Sequence, residues 1–499
     1  MPEGGLINPE VVTQAAPDGE VDVLDTEAAG GLVVRGGGLR IVTYVAAVLI
    51  SVAGASLMLR HLGVVDFGRY TTVFSFITII GALSDLGLTG IGLRQAAVGD
   101  AAERERIVRN IIGMRLTTST IGIAIACAFA IVVGYPAVMV EGIAIAGIGL
   151  LALVTQDSYV MQLQISLRLG WTAALEFTRT VGQTLVVVIL VVAGASLLAF
   201  TGAQIPGAVL AGVIAMALVR HSTRLRPAFE REHWVRLARE LLPYAAAAAI
   251  GAVYFRVEIV VLSLASTGVQ TGLFSTAFRI TEVVVGIPWL VASSALPVIA
   301  RAAEHDRARL KNVLRQMFDA SLTAGVGIAV AIFLGAQFAI AVVAGHKYRA
   351  SVEVLQIQSI IVAFTFLMTQ WGFALLALKR TRALLAVNAL GLATAIVVTT
   401  VLGGAYGANG ASVALISAEA ALAIGYAFFL TRGGGDLSVR ARTAPRVALA
   451  AAAAIGAGLI SSTPSLVETI IGMTAYVLVL AATGGLPPEL FELLPRRRR

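Results

Sequence analysis

Charge is scarce in this chain of 499 residues, because Asp, Glu, Lys and Arg together make up 13% of it and hydrophobic residues make up 58%. The charged fraction is about half that of an ordinary globular protein, which argues against a soluble domain. Cysteine is scarcer still. Cys127 lies alone within an apolar run, which leaves neither a disulfide framework nor a thiolate metal site. The nucleotide-binding pattern G-x-x-x-x-G-K-[ST] is also missing, and neither a cofactor nor a metal is predicted.

Long apolar runs fill the chain where charge is missing. A transmembrane helix needs about twenty apolar residues to cross roughly 30 Å of hydrocarbon. About fourteen runs approach that length, at 39–59, 70–93, 110–133, 141–164, 173–195, 198–219, 241–264, 273–297, 318–343, 353–377, 383–402, 409–430, 446–462 and 465–483. They lack the alternation of a membrane β-barrel. The sequence therefore predicts an all-α, polytopic membrane protein with about fourteen transmembrane helices.

Arginine collects in alternate connections between these runs, as it does in cytosolic loops. The connection 220–239 holds six arginines, whereas the intervening connections hold almost no basic residues apart from those at 60–69 and 344–352. This predicts a multi-pass membrane protein with both termini in the cytosol. The excess of arginine over lysine, with abundant alanine, indicates a high-GC bacterium and hence the bacterial plasma (inner) membrane. The net charge of +8 is then a topology signal. Nucleic acid is not an expected partner, because the arginines form no single patch.

The two halves of the chain resemble each other. The stretches 62–70 and 267–274 share a glycine, any residue, aromatic pattern, and 201–208 is similar to 406–411. Both pairs give an offset near 204 residues, which equals six runs, so two parallel six-helix lobes are predicted. The predicted division is a disordered cytosolic tail at 1–38, an N-terminal lobe at 39–220, a cytosolic linker at 221–240, a C-terminal lobe at 241–431, and two extra helices with a basic tail at 432–499.

Short motifs at these positions resemble a known family. The residues at 62–70, 84–88 and 93–97, and those at 256–259, 272–274, 279–282 and 295–297, are similar to bacterial oligosaccharide flippases of the Wzx type, relatives of peptidoglycan-precursor flippases and MATE exporters. The resemblance implies a V-shaped bundle of two six-helix lobes around a cavity that opens alternately to either side. It also implies a lipid-linked saccharide as substrate, with cell-envelope glycosyltransferases or a polymerase as partners. Glu258 departs from the family, which more often has aspartate there.

Four charged residues, Arg256, Glu258, Arg279 and Glu282, lie inside the seventh and eighth runs. An ionised side chain at the bilayer centre costs at least about 2.5–3.5 kcal/mol, so such residues usually face a cavity or one another. Arg256 and Arg279 are predicted at similar depths. Glu282 shares a helix face with Arg279, whereas Glu258 and Arg256 point to different sides. We interpret all four as substrate-binding, with the arginines receiving a pyrophosphate or an acidic sugar. The alternative is an Arg–Glu network that only pins the two helices.

Other residues in the runs are interpreted as structural or gating. Asp157 and Arg179 are expected at similar depths, close to Glu176, and are predicted to neutralise one another. Asp85 is expected to pack or to gate at the cytosolic side. Gly286 precedes a proline in the eighth run and is a candidate hinge.

Three functions compete. Arginines in the central runs, without a nucleotide site, favour a flippase that moves a polyprenyl-diphosphate-linked oligosaccharide by alternating access. A MATE-like cation-coupled exporter would need acidic groups in the first run, where Arg40 is the sole charge. Glu419, alone in the twelfth run, is a candidate to take a proton or an unseen partner. A non-transporting scaffold needs no buried charges. An enzyme is not predicted, because the outer connections are too short for a catalytic or acceptor-binding domain.

Overall fold

The computed structural model describes residues 27–85, 87–89, 101–165, 168–219, 227–305, 307–432, 443–461 and 464–485. Within these residues the regular structure is helical, and no strand occurs. The first half contains α1 (Glu27–Asp85), α2 (Ala101–Val133), α3 (Ala137–Ile165), α4 (Leu169–Val192), α5 (Leu197–Thr201) and α6 (Gln204–Val219). The second contains α7 (Arg231–Ala265), α8 (Gly268–His305), α9 (Arg307–Val343), α10 (Ser351–Ala377), α11 (Thr381–Val398) and α12 (Gly404–Thr431). A hairpin of α13 (Ala444–Ile460) and α14 (Ser465–Thr483) follows.

Each predicted run overlaps a described helix, but helices and runs do not correspond one to one. The first two runs belong to α1, which changes direction at Gly63, where φ is 73° and ψ is 178°. Glycine adopts this positive φ without a Cβ clash, so the chain turns there without ending the helical stretch. The sixth run is divided between α5 and α6. Nine helical stretches among the described residues are long and apolar enough to cross a membrane, and one of them, Thr381–Thr431, covers two predicted runs. The number of fourteen crossings stays a prediction.

The outer faces of the bundle are apolar. Val132, Val192 and Ile460 are 85%, 83% and 83% exposed, respectively. A large exposed apolar surface is a liability in water and is favourable in contact with lipid chains. The structure thus has the surface that its composition predicts for a membrane protein.

Helices pack mainly with others of the same half, and α1 contacts both halves. It packs against α3 and α4 in the first half and against α7 and α8 in the second. The α13–α14 hairpin packs on α9, with a shared core that includes Leu334, Ala454 and Tyr476. The long helix α1 is therefore the principal connection between the two halves.

Equivalent residues of the repeat meet where α1 crosses α8. Thr71 Oγ1 donates a hydrogen bond to Ser275 Oγ at 2.8 Å, and these two residues are 204 positions apart. Gly68 and Gly272 are separated by the same offset, and their backbones are in direct contact: a Cβ added to Gly68 would lie 2.8 Å from the Gly272 nitrogen. Copies related by a two-fold axis contact each other through identical positions. The contacts at this crossing therefore pair residues at the predicted offset, as a two-fold relation between the repeated segments would.

The two ends of the bundle are named here after one residue each. The Tyr348 end contains the turns at Gly63, Gly134 and Ser266 and the 3₁₀ turn His346–Tyr348. The Arg380 end lies opposite and contains the turn between α10 and α11.

The halves are joined at the Tyr348 end. The Tyr348 hydroxyl, 0% exposed, donates to the carbonyl oxygen of Leu59 at 2.9 Å. A hydrophobic cluster continues the contact and takes residues from both halves, including Leu59, Phe67, Phe274 and Tyr348. Contact between the halves at this end is therefore extensive and largely apolar.

Candidate functional site

An arginine–glutamate cluster joins α7 to α8. Glu282 Oε1 forms an ion pair with Nη2 of Arg256, and Glu282 Oε2 lies 3.1 Å from Nη1 of Arg279. Arg279 and Glu282 are three residues apart on one face of α8, whereas Arg256 reaches the same carboxylate from α7. Each carboxylate oxygen therefore bonds to a different guanidinium. Pairing across the two helices, which the residue spacing favours, is what the structure shows.

The cluster lies at middle depth and touches the first half. Arg256 is nine residues before the end of α7 and Arg279 is eleven after the start of α8, so both lie about 14–17 Å from the Tyr348 end. Arg279 also donates a hydrogen bond to Ser51 Oγ of α1 at 3.4 Å. The side chains of Arg256, Arg279 and Glu282 are 21%, 38% and 29% exposed. The cluster is therefore partly exposed and adjoins the first half through Arg279.

Glu258 does not join this cluster. Two residues along a helix correspond to a rotation of about 200°, so Glu258 leaves α7 on a different face from Arg256. It is 3% exposed, and its Oε1 has no hydrogen-bond partner among the described residues. Its predicted role in substrate binding therefore has no support from contact with the arginines.

Two other buried polar groups, Tyr254 and Glu419, lie near Glu258. The carboxylate of Glu419 on α12, also 3% exposed, acts on Glu258 electrostatically and accepts a hydrogen bond from the Tyr254 hydroxyl at 2.9 Å. Tyr254 and Glu258 are four residues apart on α7, a spacing that gives them a common face and could have signalled the site. Sequence reasoning treated Glu419 as solitary. No three His, Cys, Asp or Glu side chains gather as a metal site in the part of the chain that the structure describes.

The predicted pairing of Asp157 with Arg179 is wrong, because Asp157 pairs with Arg115 instead. Arg115 Nη2 lies 3.5 Å from Asp157 Oδ2, and Arg115 Nε lies 3.6 Å from Asp85 Oδ1. The Arg115 side chain is 8% exposed and extends from α2 between the two carboxylates. Arg179 acts on Asp157 only as a more distant charge. Glu176, the other residue considered there, is exposed.

Arg115 is the charged residue that sequence reasoning missed in the first half. It is the sixth residue of the apolar run 110–133, where the only available signal was one arginine in a largely apolar stretch. At Gly286 the structure shows no break, since α8 runs continuously from Gly268 to His305. A hinge at Gly286 therefore stays a prediction.

The fold and the cluster together define a polytopic membrane protein of internally repeated helices, with charged residues at the junction of its halves. The chain belongs to the polysaccharide biosynthesis protein family, whose sequence model matches residues 33–303. No curated protein matches the chain.

Three solved structures share the fold. The lipid II flippase MurJ in an inward closed conformation is 12% identical, with a TM-score of 0.70 and coverage of 91% of this chain and 99% of MurJ. An inward-facing multidrug resistance MATE transporter of the MOP superfamily is 13% identical, with a TM-score of 0.63 and coverage of 79% and 98%. A eukaryotic MATE transporter is 11% identical, with a TM-score of 0.52 and coverage of 79% and 96%. The predicted family resemblance and the all-α, polytopic fold class are confirmed.

Proposed function

We propose that this protein is a flippase that carries a polyprenyl-diphosphate-linked oligosaccharide across the bacterial plasma membrane by alternating access, without catalysing a chemical reaction. The observation that carries the proposal is the pair Arg256 and Arg279, which lie at similar depth on adjacent helices and are partly exposed. Arg279 also contacts α1 of the other half. Membership of a family of polysaccharide biosynthesis proteins supports a saccharide as the cargo.

Arginine suits the headgroup of such a substrate. Its guanidinium stays protonated when partly desolvated and presents a planar fork that matches two phosphate oxygens. Two arginines on different helices offer one fork to each phosphoryl group of a diphosphate. The lipid chain would remain in the membrane while the polar headgroup passes between the halves.

Contacts at the Tyr348 end support a state closed to the outside. The arginine pattern of the loops favours the Arg380 end as cytosolic. The hydrogen bond of Tyr348 to Leu59 and the apolar cluster around it would then seal the outer side. In this state the arginine pair would accept the headgroup from the cytosolic leaflet. Parting of α1 from α8 would then open the outer side.

Deletion of the gene tests the function in cells. Loss of the protein should leave lipid-linked saccharide on the cytosolic side of the membrane. Arg279→Ala should fail to restore export at normal membrane abundance, whereas Arg279→Lys should restore part of it, since lysine keeps the charge and loses the fork. Arg349→Ala is a matched control, because Arg349 is exposed at the Tyr348 end, away from the cluster. Export at the wild-type rate by both Arg256→Ala and Arg279→Ala would show that these arginines are structural.

A second candidate is a cation-coupled small-molecule exporter. It is favoured by Glu258 and Glu419, two buried carboxyl groups next to Tyr254 in the second half. Under this function, Glu258→Gln with Glu419→Gln should abolish export of cationic compounds, and deletion of the gene should cause no accumulation of saccharide lipid. Accumulation of lipid-linked saccharide after deletion of the gene would favour the flippase over the exporter.

A further inference from the structure

We propose that Glu282 is an internal anion that occupies the arginine pair of the empty carrier, and that the substrate's headgroup must displace it. The proposal rests on the function proposed above and concerns the regulation of the same site. It makes Glu282 the residue that selects diphosphate headgroups over monophosphate headgroups.

The geometry of Glu282 is that of a bridging ligand. Its Oε1 bonds to Nη2 of Arg256 and its Oε2 to Nη1 of Arg279, so that a single carboxylate bridges one nitrogen of a guanidinium on each of two helices. Among the described residues, these two guanidinium groups are the partners of the carboxylate. An anion that takes the same two nitrogens, Nη2 of Arg256 and Nη1 of Arg279, therefore cannot bind in this way while Glu282 keeps its place.

The charges of the cluster favour an exchange of anions. Two guanidinium groups against one carboxylate leave one positive charge in the cluster, and the three side chains are 21–38% exposed. A phosphate monoester can replace Glu282 with little gain, since it is a single group facing two arginines. A diphosphate provides a separate phosphoryl group for each guanidinium, which a phosphate monoester does not. Competition from Glu282 should therefore lower the affinity for a monophosphate headgroup more than the affinity for a diphosphate headgroup.

The position of the cluster connects the exchange to the movement of the halves. Glu282 links α7 to α8, and Arg279 reaches Ser51 of α1 on the other side. Displacement of Glu282 would replace a contact within the second half by contacts with the ligand. On the opposite side of the membrane, the return of Glu282 to the arginines would help the headgroup to leave. Glu282 should thus weaken binding and speed release.

Binding to the purified full-length chain in nanodiscs tests this role. Undecaprenyl diphosphate and undecaprenyl phosphate serve as probes. Glu282→Gln keeps the shape of the side chain and removes its charge, so it should bind the diphosphate more tightly by on the order of tenfold. The preference for diphosphate over monophosphate should fall. In a transport assay, Glu282→Gln should also turn over more slowly at saturating substrate. The substrate concentration that gives half the maximal rate should be lower than for the wild type.

Two variants control for indirect effects. Glu353→Gln removes an exposed carboxylate of α10 outside the cluster and should leave the affinity unchanged. Glu282→Asp keeps the charge, but its shorter arm cannot span both arginines, so its affinity for the diphosphate should lie between those of the wild type and Glu282→Gln. This variant also decides the matter if Glu282→Gln does not fold.

The outcomes separate this inference from the proposed function. Diphosphate binding that is lost in Arg279→Ala but is no tighter in Glu282→Gln or Glu282→Asp would overturn the role of Glu282 and leave the arginine site standing. Diphosphate binding that is unaffected by Arg279→Ala and Arg256→Ala would overturn both. Tighter binding in Glu282→Gln with unchanged discrimination against the monophosphate would contradict the selectivity role.

Discussion

Arg115 pairs with two carboxylates that come from different helices. Asp85 of α1 and Asp157 of α3 lie on either side of its guanidinium, at 3.6 Å and 3.5 Å. The sequence identified Asp157 as an acid with a neutralising partner and Asp85 as a packing or gating residue. It could not name Arg115, because the relative rotation of helices depends on packing around their whole circumference. Depth alone favoured Arg179, which lies at a similar level on another helix.

Exchanging charges tests this arrangement. Arg115→Met should destabilise the protein by roughly 1.5–3 kcal/mol, since it leaves two partly buried carboxylates close together. Combining Arg115→Asp with Asp157→Arg should recover more folded protein than either change alone. The corresponding exchange of Arg179 and Asp157 is the matched control and should recover none. The measurement is the fraction of monodisperse protein after heating in detergent, and equal recovery by both exchanges would contradict the assignment.

At the scale of single elements, α1 and α8 cross at glycines that leave no room for a side chain. A Cβ on Gly272 would lie 1.9 Å from the carbonyl oxygen of Val64, and one on Gly68 would lie 2.7 Å from that of Gly268. The sequence revealed the repeated glycine pattern and its offset. It could not show that the two copies contact each other, since that depends on how the halves are placed around their axis.

Gly272→Ala should therefore disfavour the closed Tyr348 end. The added methyl group forces the helices apart or distorts them, at a cost of roughly 1–3 kcal/mol to the closed state. Accessibility of a cysteine at Ser275, in a Cys127→Ala background, should rise for a water-soluble reagent. Gly170→Ala is a control, because a Cβ there meets nothing within 4 Å. Unchanged accessibility in Gly272→Ala would mean that the crossing is not part of the seal.

The start of α7 is fastened to α2 by groups that titrate. Arg106 donates to Glu230 Oε2 through Nε at 2.8 Å, and this bond holds the pKa of Glu230 below its ordinary 4.5. Burial, followed by the charges of Arg236 and Arg106, holds the pKa of His233 below its ordinary 6.5 despite the opposing charges of Glu230 and Glu103. The folded linker therefore favours ionised Glu230 and neutral His233, which are the forms present at neutral pH.

Acidification should therefore loosen the start of α7. A group whose pKa is lower in the folded state than in the unfolded state stabilises the fold at pH values above its unfolded-state pKa. This stability is lost as the pH falls through the pKa of the folded state. The loss of stability should begin below pH 6.5, as His233 is protonated, and continue below pH 4.5, as Glu230 is protonated. Hydrogen exchange of residues 227–239, corrected for its intrinsic pH dependence, should show falling protection. In Glu230→Gln the lower step should vanish. Protection that rises on acidification would contradict the assignment.

At the scale of the whole molecule, composition and apolar runs are sufficient to predict an all-helical membrane bundle, because the cost of unpaired backbone groups in lipid allows few alternatives. The Arg256–Glu282–Arg279 cluster follows in part from spacing along two consecutive helices. The position of Glu258 near Glu419 does not follow from spacing, since these residues are 161 positions apart on helices that come together only in the folded lobe. Long-range contacts of this kind depend on the arrangement of the halves and are absent from local patterns.

Transport by the purified protein tests the central claim most directly. Wild-type protein in liposomes, supplied with a fluorescent polyprenyl-diphosphate-linked saccharide in one leaflet, should move it to the other leaflet. The double variant Arg256→Ala, Arg279→Ala should lower the initial rate at subsaturating substrate by at least about tenfold while remaining folded, since it removes two charged contacts with the headgroup. Arg349→Ala should match the wild type. Wild-type transport by the double variant, or no transport by the wild type above empty liposomes, would contradict the account.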